Sequence, residues 1–176
     1  MLWGGTALKL LLIRHAIAEE REVFARTGRD DRYRPLTSDG RKRMRQAARG
    51  LKTLVPEIGL LATSQLTRAA QTGAILDSIY GDLWEVEIPE LAPDAEPQAF
   101  VTWLRKQKQE VVAVVGHEPH LGGLASWLTT GAEQDFLPFR KGGACLLEFP
   151  GEVAPGRAQV VWVLPPALLR RLGEKD

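Results

Sequence analysis

One cysteine, Cys145, is all the chain has. No internal disulfide can brace it, and the setting of that residue in the apolar run Ala144 to Phe149 reads as a packed thiol, since nothing nearby would lower its pKa. Long hydrophobic runs are also missing. No stretch approaches the ~18 uninterrupted apolar residues of a membrane helix, and the N-terminus has no basic segment leading into a signal-like apolar run with a cleavage site. The expectation is a cytoplasmic protein with no membrane partner. Neither charge sign dominates: 23 Lys and Arg stand against 22 Asp and Glu, a formal net charge of +1. That balance argues against a nucleic-acid binder, and any anion site must be local. Neither Gly-x-x-x-x-Gly-Lys nor Gly-x-Gly-x-x-Gly occurs, which argues against nucleotide-binding enzymes of those types.

What is present suffices for one core: 176 residues, 44% of them hydrophobic, imply a single domain over residues 1–176. Met1 to Thr6 reads as a lead-in, and Leu8 to Ile13, broken only by Lys9, as a strand buried on both faces. Glu19 to Arg34 is dense in charge without period and reads as a long solvated loop with at most a short helical piece. Thr37 or Ser38 then starts a helix striped by Met44, Ala47, Ala48, Leu51 and Leu54, ended by Pro56. Ile58 to Ala62 suggests a second strand, and Thr67 to Tyr80 a helix closed by Gly81. Trp84 to Ile88 gives a third strand, Phe100 to Leu104 a helix, Val111 to Val115 a buried strand and Leu121 to Leu128 another helix. Strands alternating with helices predict an α/β fold, a three-layer αβα sandwich with a mostly parallel central sheet. Ala144 to Phe149 and Gln159 to Val163 pair as an antiparallel end hairpin.

Three strand ends deliver polar residues toward one edge. Arg14-His15 follow Ile13, Ser64 and Arg68 follow Ala62, and Gly116-His117 follow Val115. Ligands of open parallel sheets gather outside the carboxyl ends of the strands. Each element alone has a bland reading: a structural Arg-His pair, a solvated helix arginine, a histidine before a helix start. Together they form an anion site holding a nucleophile. A neutral imidazole can attack phosphorus in line, and arginine forks suit the oxygens of the transferring phosphoryl group. Nearby guanidinium charge would lower the pKa of His15. Glu90, with Asp94 as second choice, is the positional candidate for a general acid, against the reading of a solvated turn carboxylate. His117 and His120 are three apart, but Pro119 lies between them and no third ligand is apparent, so no metal or other cofactor is expected. Gly142-Gly143 look like turn residues, and the five tryptophans read as packing.

Leu12-Ile13-Arg14-His15-Ala16 resembles the Arg-His-Gly signature of the histidine phosphatase superfamily, which includes the cofactor-dependent phosphoglycerate mutases. Arg34-Pro35-Leu36-Thr37-Ser38-Asp39-Gly40-Arg41, Thr63-Ser64 with Arg68-Ala69-Ala70-Gln71-Thr72, and Val115-Gly116-His117-Glu118-Pro119 resemble further motifs of that superfamily, in the same order. The short chain is most similar to the SixA-type phosphohistidine phosphatases. The resemblance implies a phosphoglycerate mutase-like fold, His15 as the nucleophile that becomes phosphorylated, and Arg14, Arg68 and His117 as phosphate-binding residues. The implied partner is a protein bearing phosphohistidine, such as a histidine phosphotransfer domain, or else a small phosphate ester. Two positions depart from the pattern: Ala16 where Gly is usual, and Gln65 where Pro commonly follows the serine.

Two rivals use the same residues. A phosphatase for small phosphate monoesters would require a firm acid and a substrate lid, for which the chain offers little length. A module that only binds phosphorylated partners would have no use for an intact His15.

Overall fold

The computed structural model describes residues 7–134, 137 and 139–174; the lead-in Met1 to Thr6, with Trp3, lies outside them. Along the chain run β1 (Leu8–Arg14), α1 (Arg21–Ala25), α2 (Ser38–Leu54), β2 (Leu60–Thr63), α3 (Thr67–Tyr80) and β3 (Glu85–Glu87). They are followed by α4 (Pro97–Leu104), β4 (Val111–Gly116), α5 (His120–Thr130), β5 (Ala144–Phe149), β6 (Gln159–Leu164) and α6 (Pro166–Gly173). Among the described residues no helix is long and apolar enough to cross a membrane.

The period-2 alternation of a strand sends successive side chains to opposite faces, and β1 is apolar on both. Leu10 and Leu12 join a core with Leu60, Ala62, Val112 and Val114, covered by Phe100 and Leu104 of α4 and Leu121 and Leu124 of α5. Leu11 and Ile13 enter a second core with Leu61, Ala113 and Val115, covered by Met44 and Leu51 of α2, Leu76 of α3 and Leu169 of α6. The result is the three-layer αβα sandwich expected from the sequence.

The sheet order is β3-β2-β4-β1-β5-β6. The first four strands are parallel; β5 and β6 add an antiparallel hairpin beside β1. β4 returns between β1 and β2, and the three end nearly level: Ile13 and Thr63 both pair with Val115, and Arg14 with Gly116.

Local chemistry fixes the helix ends. The Thr37 hydroxyl accepts from the Gly40 N–H at 2.9 Å and caps α2, as Ser/Thr caps do. Gly81, at φ 83°, closes α3 in a conformation that L side chains avoid. The charged stretch Glu19 to Arg34 departs from the solvated loop expected of it: α1 packs Phe24 inward, and Arg34 is buried. The sequence pattern raises no expectation of α6, in which Leu169 is the buried residue. Burial pushes the Cys145 thiol up to about 12, in keeping with a packed residue.

α2 and α6 touch backbone to backbone. A Cβ on Gly50 would overlap the Leu169 carbonyl, and one on Gly173 the Gln46 carbonyl. Gly50→Ala is therefore expected to lower the unfolding free energy in urea by about 1–3 kcal/mol, the usual cost of overpacking. Gly123→Ala in α5, where an added Cβ meets nothing within 4 Å, is expected to be neutral or mildly stabilising. Equal midpoints for the two variants would show that α2 and α6 can part freely.

Candidate active site

The level strand ends place the candidate residues side by side. His15 N–H donates to the Gly116 carbonyl at 3.0 Å, and Ser64 N–H to that of Val115 at 3.0 Å. The rings of His15 and His117 lie 5.1 Å apart between centroids, and His117 Nε2 is 2.8 Å from Ser64 Oγ. With Arg14 and Arg68 these two histidines line one cleft of about 230 Å³.

His15 is 5% exposed, and its Nδ1 lies 2.7 Å from the Ala16 carbonyl oxygen. A carbonyl only accepts, so Nδ1 carries the proton and the lone pair of the neutral ring is on Nε2. Burial lowers the His15 pKa to about 3; the Ala16 carbonyl works against the shift, while the charges of Arg68, Arg14 and Lys141 add to it. Desolvation thus contributes more than the guanidinium charge expected from the sequence. His117 is likewise lowered to about 3, first by burial, then by His15 and Arg68.

Both arginines donate to backbone carbonyls. Arg14 Nη1 donates to the Phe139 carbonyl at 2.6 Å. The loop behind it straps the end of β1, with Gly142 N–H shared between the carbonyls of Arg14 and His15, each at 3.1 Å. Gly142 does this at φ 78°, which explains a glycine in this turn. Arg68, the second residue of α3, is anchored by Asp31: its Nη1 donates to the backbone carbonyl at 3.1 Å and lies 3.3 Å from the carboxylate. Asp31 also accepts from Arg34 Nε at 2.7 Å. That hydrogen bond, together with the charges of Arg68 and Arg34, holds the Asp31 carboxyl below the usual range. Asp31 does not stand out in the sequence as a site residue, its only signal being the density of charge between Glu19 and Arg34, whereas Arg34 opens the segment Arg34 to Arg41 that resembles a superfamily motif without a role being assigned to it.

Arg14 Nε, Arg68 Nε and His117 Nδ1 are buried with no hydrogen-bond partner among the described residues. Buried polar atoms are nearly always paired, so three such atoms around one cleft mark a place for an external acceptor. The carboxylates lining the cleft are Glu19, Glu20 and Glu118, and further cations come from Arg21, Arg34 and Lys141. Glu90 is not among the lining residues; it lies in the short 3-10 turn Pro89–Leu91 with Oε2 buried. Asp94 is exposed, and its neighbour Pro93 lines the cleft. His120, the first residue of α5, is buried, and no group of three or more potential metal-ligating residues occurs among the described residues.

The model of the histidine phosphatase superfamily (branch 1) matches residues 10–90. An uncharacterized protein of Picosynechococcus sp. (strain ATCC 27264 / PCC 7002 / PR-6) is 32% identical over 139 residues, 77% of this chain and 82% of its own. The chain belongs to the histidine phosphatase superfamily. Among solved structures, the protein histidine phosphatase SixA complexed with tungstate superposes with a TM-score of 0.77 at 24% identity, covering 92% of this chain and 99% of its own. SixA of Agrobacterium tumefaciens gives 0.74 at 20% identity, covering 90% and 98%. These two likenesses are likenesses of fold, and the fold is phosphoglycerate mutase-like.

Both departures from the superfamily pattern are accommodated. Ala16 is buried, with its N–H donating to Thr72 Oγ1 at 3.1 Å, and Thr72 Oγ1 donates in turn to the Arg68 carbonyl at 2.8 Å. One threonine thereby ties the histidine strand to the arginine helix. Gln65 is exposed, and Arg68 enters the cleft regardless.

The depressed histidine pKa values set a pH dependence. An unfolded histidine titrates near 6.5, against about 3 in the folded protein. Between those values the unfolded chain binds more protons, so the stability held by neutral His15 and His117 is complete above pH 6.5 and drains away as pH falls toward 3. Urea unfolding at pH 7.5, 5.5 and 4.5 is expected to show this decline, with a shallower slope in His15→Asn and His117→Asn. Identical slopes in all three proteins would contradict neutral burial.

Proposed function

We propose that the protein is a phosphohistidine phosphatase that works through a covalent phosphohistidine on His15. The observation that carries this reading is the neutral His15 ring. Its Nδ1–H is tied to the Ala16 carbonyl, leaving the Nε2 lone pair among Arg14, Arg68 and His117. Tungstate, bound by the fold relative SixA, is an oxyanion of the kind such a cleft would hold.

In the proposed course His15 Nε2 attacks phosphorus as the P–N bond of the substrate breaks, and a protonated phosphoramidate releases neutral imidazole. The His15 ring then carries phosphorus on Nε2 and a proton on Nδ1, a cationic form that the Ala16 carbonyl favours. Water next adds to phosphorus, the P–Nε2 bond breaks, and inorganic phosphate leaves with the ring restored to its starting tautomer. Arg14, Arg68 and His117 hold the phosphoryl oxygens through both steps, where charge-assisted donors contribute most. Support for phosphohistidine over an ester comes from the acid: Glu90 lies off the cleft, and imidazole departs far more readily than an alkoxide. The ester reading draws on Glu118, a carboxylate that does line the cleft.

The test is phosphate release from a phosphohistidine-bearing carrier protein and from a panel of small phosphate monoesters. Intact protein is expected to prefer the carrier and to yield an acid-labile, alkali-stable phosphoenzyme on rapid quench. His15→Ala is expected to abolish both turnover and label, and Arg68→Ala to lower kcat by roughly 10²–10³ through lost charge stabilisation. Preference for one small ester would favour the Glu118 reading, and turnover surviving the loss of His15 would overturn the mechanism.

A further inference from the structure

Beside the catalytic cleft lies a second one, between α2, α6 and the loop Arg140 to Gly142. The two share Lys141, and the second begins at Ala16 and Ile17, immediately after the catalytic histidine strand. Its floor is apolar, built from side chains including Met44, Ala47 and Pro166, and its volume is about 230 Å³. Four lining residues are cationic, Arg43, Arg140, Lys141 and Arg170, and none is acidic.

In a chain of net charge +1, four cations around one apolar floor are a local excess. Arg43 is paired with Asp39 at 2.7 Å, while Arg140, Lys141 and Arg170 have no ion pair among the described residues. Long, hydrated side chains around an open floor do not fix a small ligand, which needs a few buried and rigidly placed polar groups. They suit an extended surface of opposite charge, where complementarity sets encounter and orientation. The lining of the catalytic cleft itself includes Glu19 and Glu20, which repel such a surface, whereas the second cleft has no carboxylate.

We infer that this second cleft docks an acidic segment of the protein that presents the phosphohistidine, steering the phosphoryl group past Lys141 to His15. The inference rests on the phosphohistidine reading above. It assigns substrate selection to α2 and α6, elements that contribute no side chain to the catalytic cleft. The apolar floor gives the segment's aliphatic residues a place to bury beside its carboxylates.

The test compares wild type with Arg43→Glu/Arg170→Glu, neither residue lying in the catalytic cleft. The substrates are a phosphotransfer protein with an acidic face, phosphorylated on histidine, and free phosphohistidine, both at low ionic strength. The double variant is expected to raise KM for the protein substrate by about tenfold or more, as charge reversal at a steering surface does, with kcat unchanged and free phosphohistidine turned over as by wild type. Added salt is expected to raise the wild-type KM for the carrier and to shrink the difference between the proteins. An unchanged KM for the carrier, or an equal loss on free phosphohistidine, would overturn the docking role while leaving the phosphohistidine reading intact. If wild type failed to turn over the carrier at all, that reading would fall and the docking role with it.

Discussion

The hydrogen bond from His15 N–H to the Gly116 carbonyl sets the relation between the two histidine strands. β1 is apolar on both faces, so a slip of one residue would exchange one set of leucines for another and cost the cores little. In sheets with one wet face the hydrophobic pattern enforces register; here it does not. What pins β1 is polar and lies largely at its ends: Lys9 N–H to the Glu110 carbonyl, Arg14 N–H to Gly143, and Gly142 N–H to the carbonyls of Arg14 and His15. The backbone contacts that specify the strand are therefore also those that present Arg14 and His15.

Burial then decides the protonation state. An imidazole removed from water beside two guanidinium groups is costly to protonate, and both His15 and His117 are driven neutral mainly by desolvation. The arginines cannot escape in the same way, since a guanidinium stays charged. Asp31 balances part of that charge by joining Arg34 and Arg68, and Glu118 lies close enough to Arg14 to oppose the lowering of its pKa. The cleft still keeps unpaired donors at Arg14 Nε and Arg68 Nε. An oxyanion would meet fixed dipoles and charges there, with little reorganisation required.

Much of this could be read from the chain because the informative residues sit where secondary structure changes. A buried apolar strand that ends on Arg-His, or on Gly-His, declares both the element and the edge it points to. Arg68 follows four residues after Ser64, in the first turn of α3, so a short bend after β2 suffices to keep it at the same edge. Asp31 escapes such reading, and Arg34 is marked only as the start of a family-like segment: both lie in an aperiodic charged stretch, and the contact they share reaches α3 through Asp31, more than thirty residues away. Phe139 is silent for the same reason, and the contacts of Thr72 and Gly142 go beyond the motif and the turn in which the sequence places them, since each is a backbone or hydroxyl contact made across the fold. Leu169 marks α6, but one buried leucine in eight residues is too little for a period. Glu90 is suggested by its position after the third strand; β3 is only three residues long, and Glu90 lies in the turn that follows, outside the lining of the cleft.

On the proposed reading, a cleft built from two histidines and two arginines would recognise a phosphoryl group and little more. Its donors address oxygens common to esters, anhydrides and phosphoramidates, so discrimination among substrates has to come from the walls. The walls differ in sign: Glu19, Glu20 and Glu118 stand in the lining of the catalytic cleft, whereas the adjoining cleft is wholly cationic in its charged groups. Lys141 belongs to both, and its neighbour Gly142 binds the carbonyls at the end of the histidine strand. A contact made in the basic cleft is thereby separated from the nucleophile by a single loop. The loop contributes a charge to each cleft and a backbone clamp to β1, so on the proposed reading the substrate's remainder would be held beside the strand that carries His15.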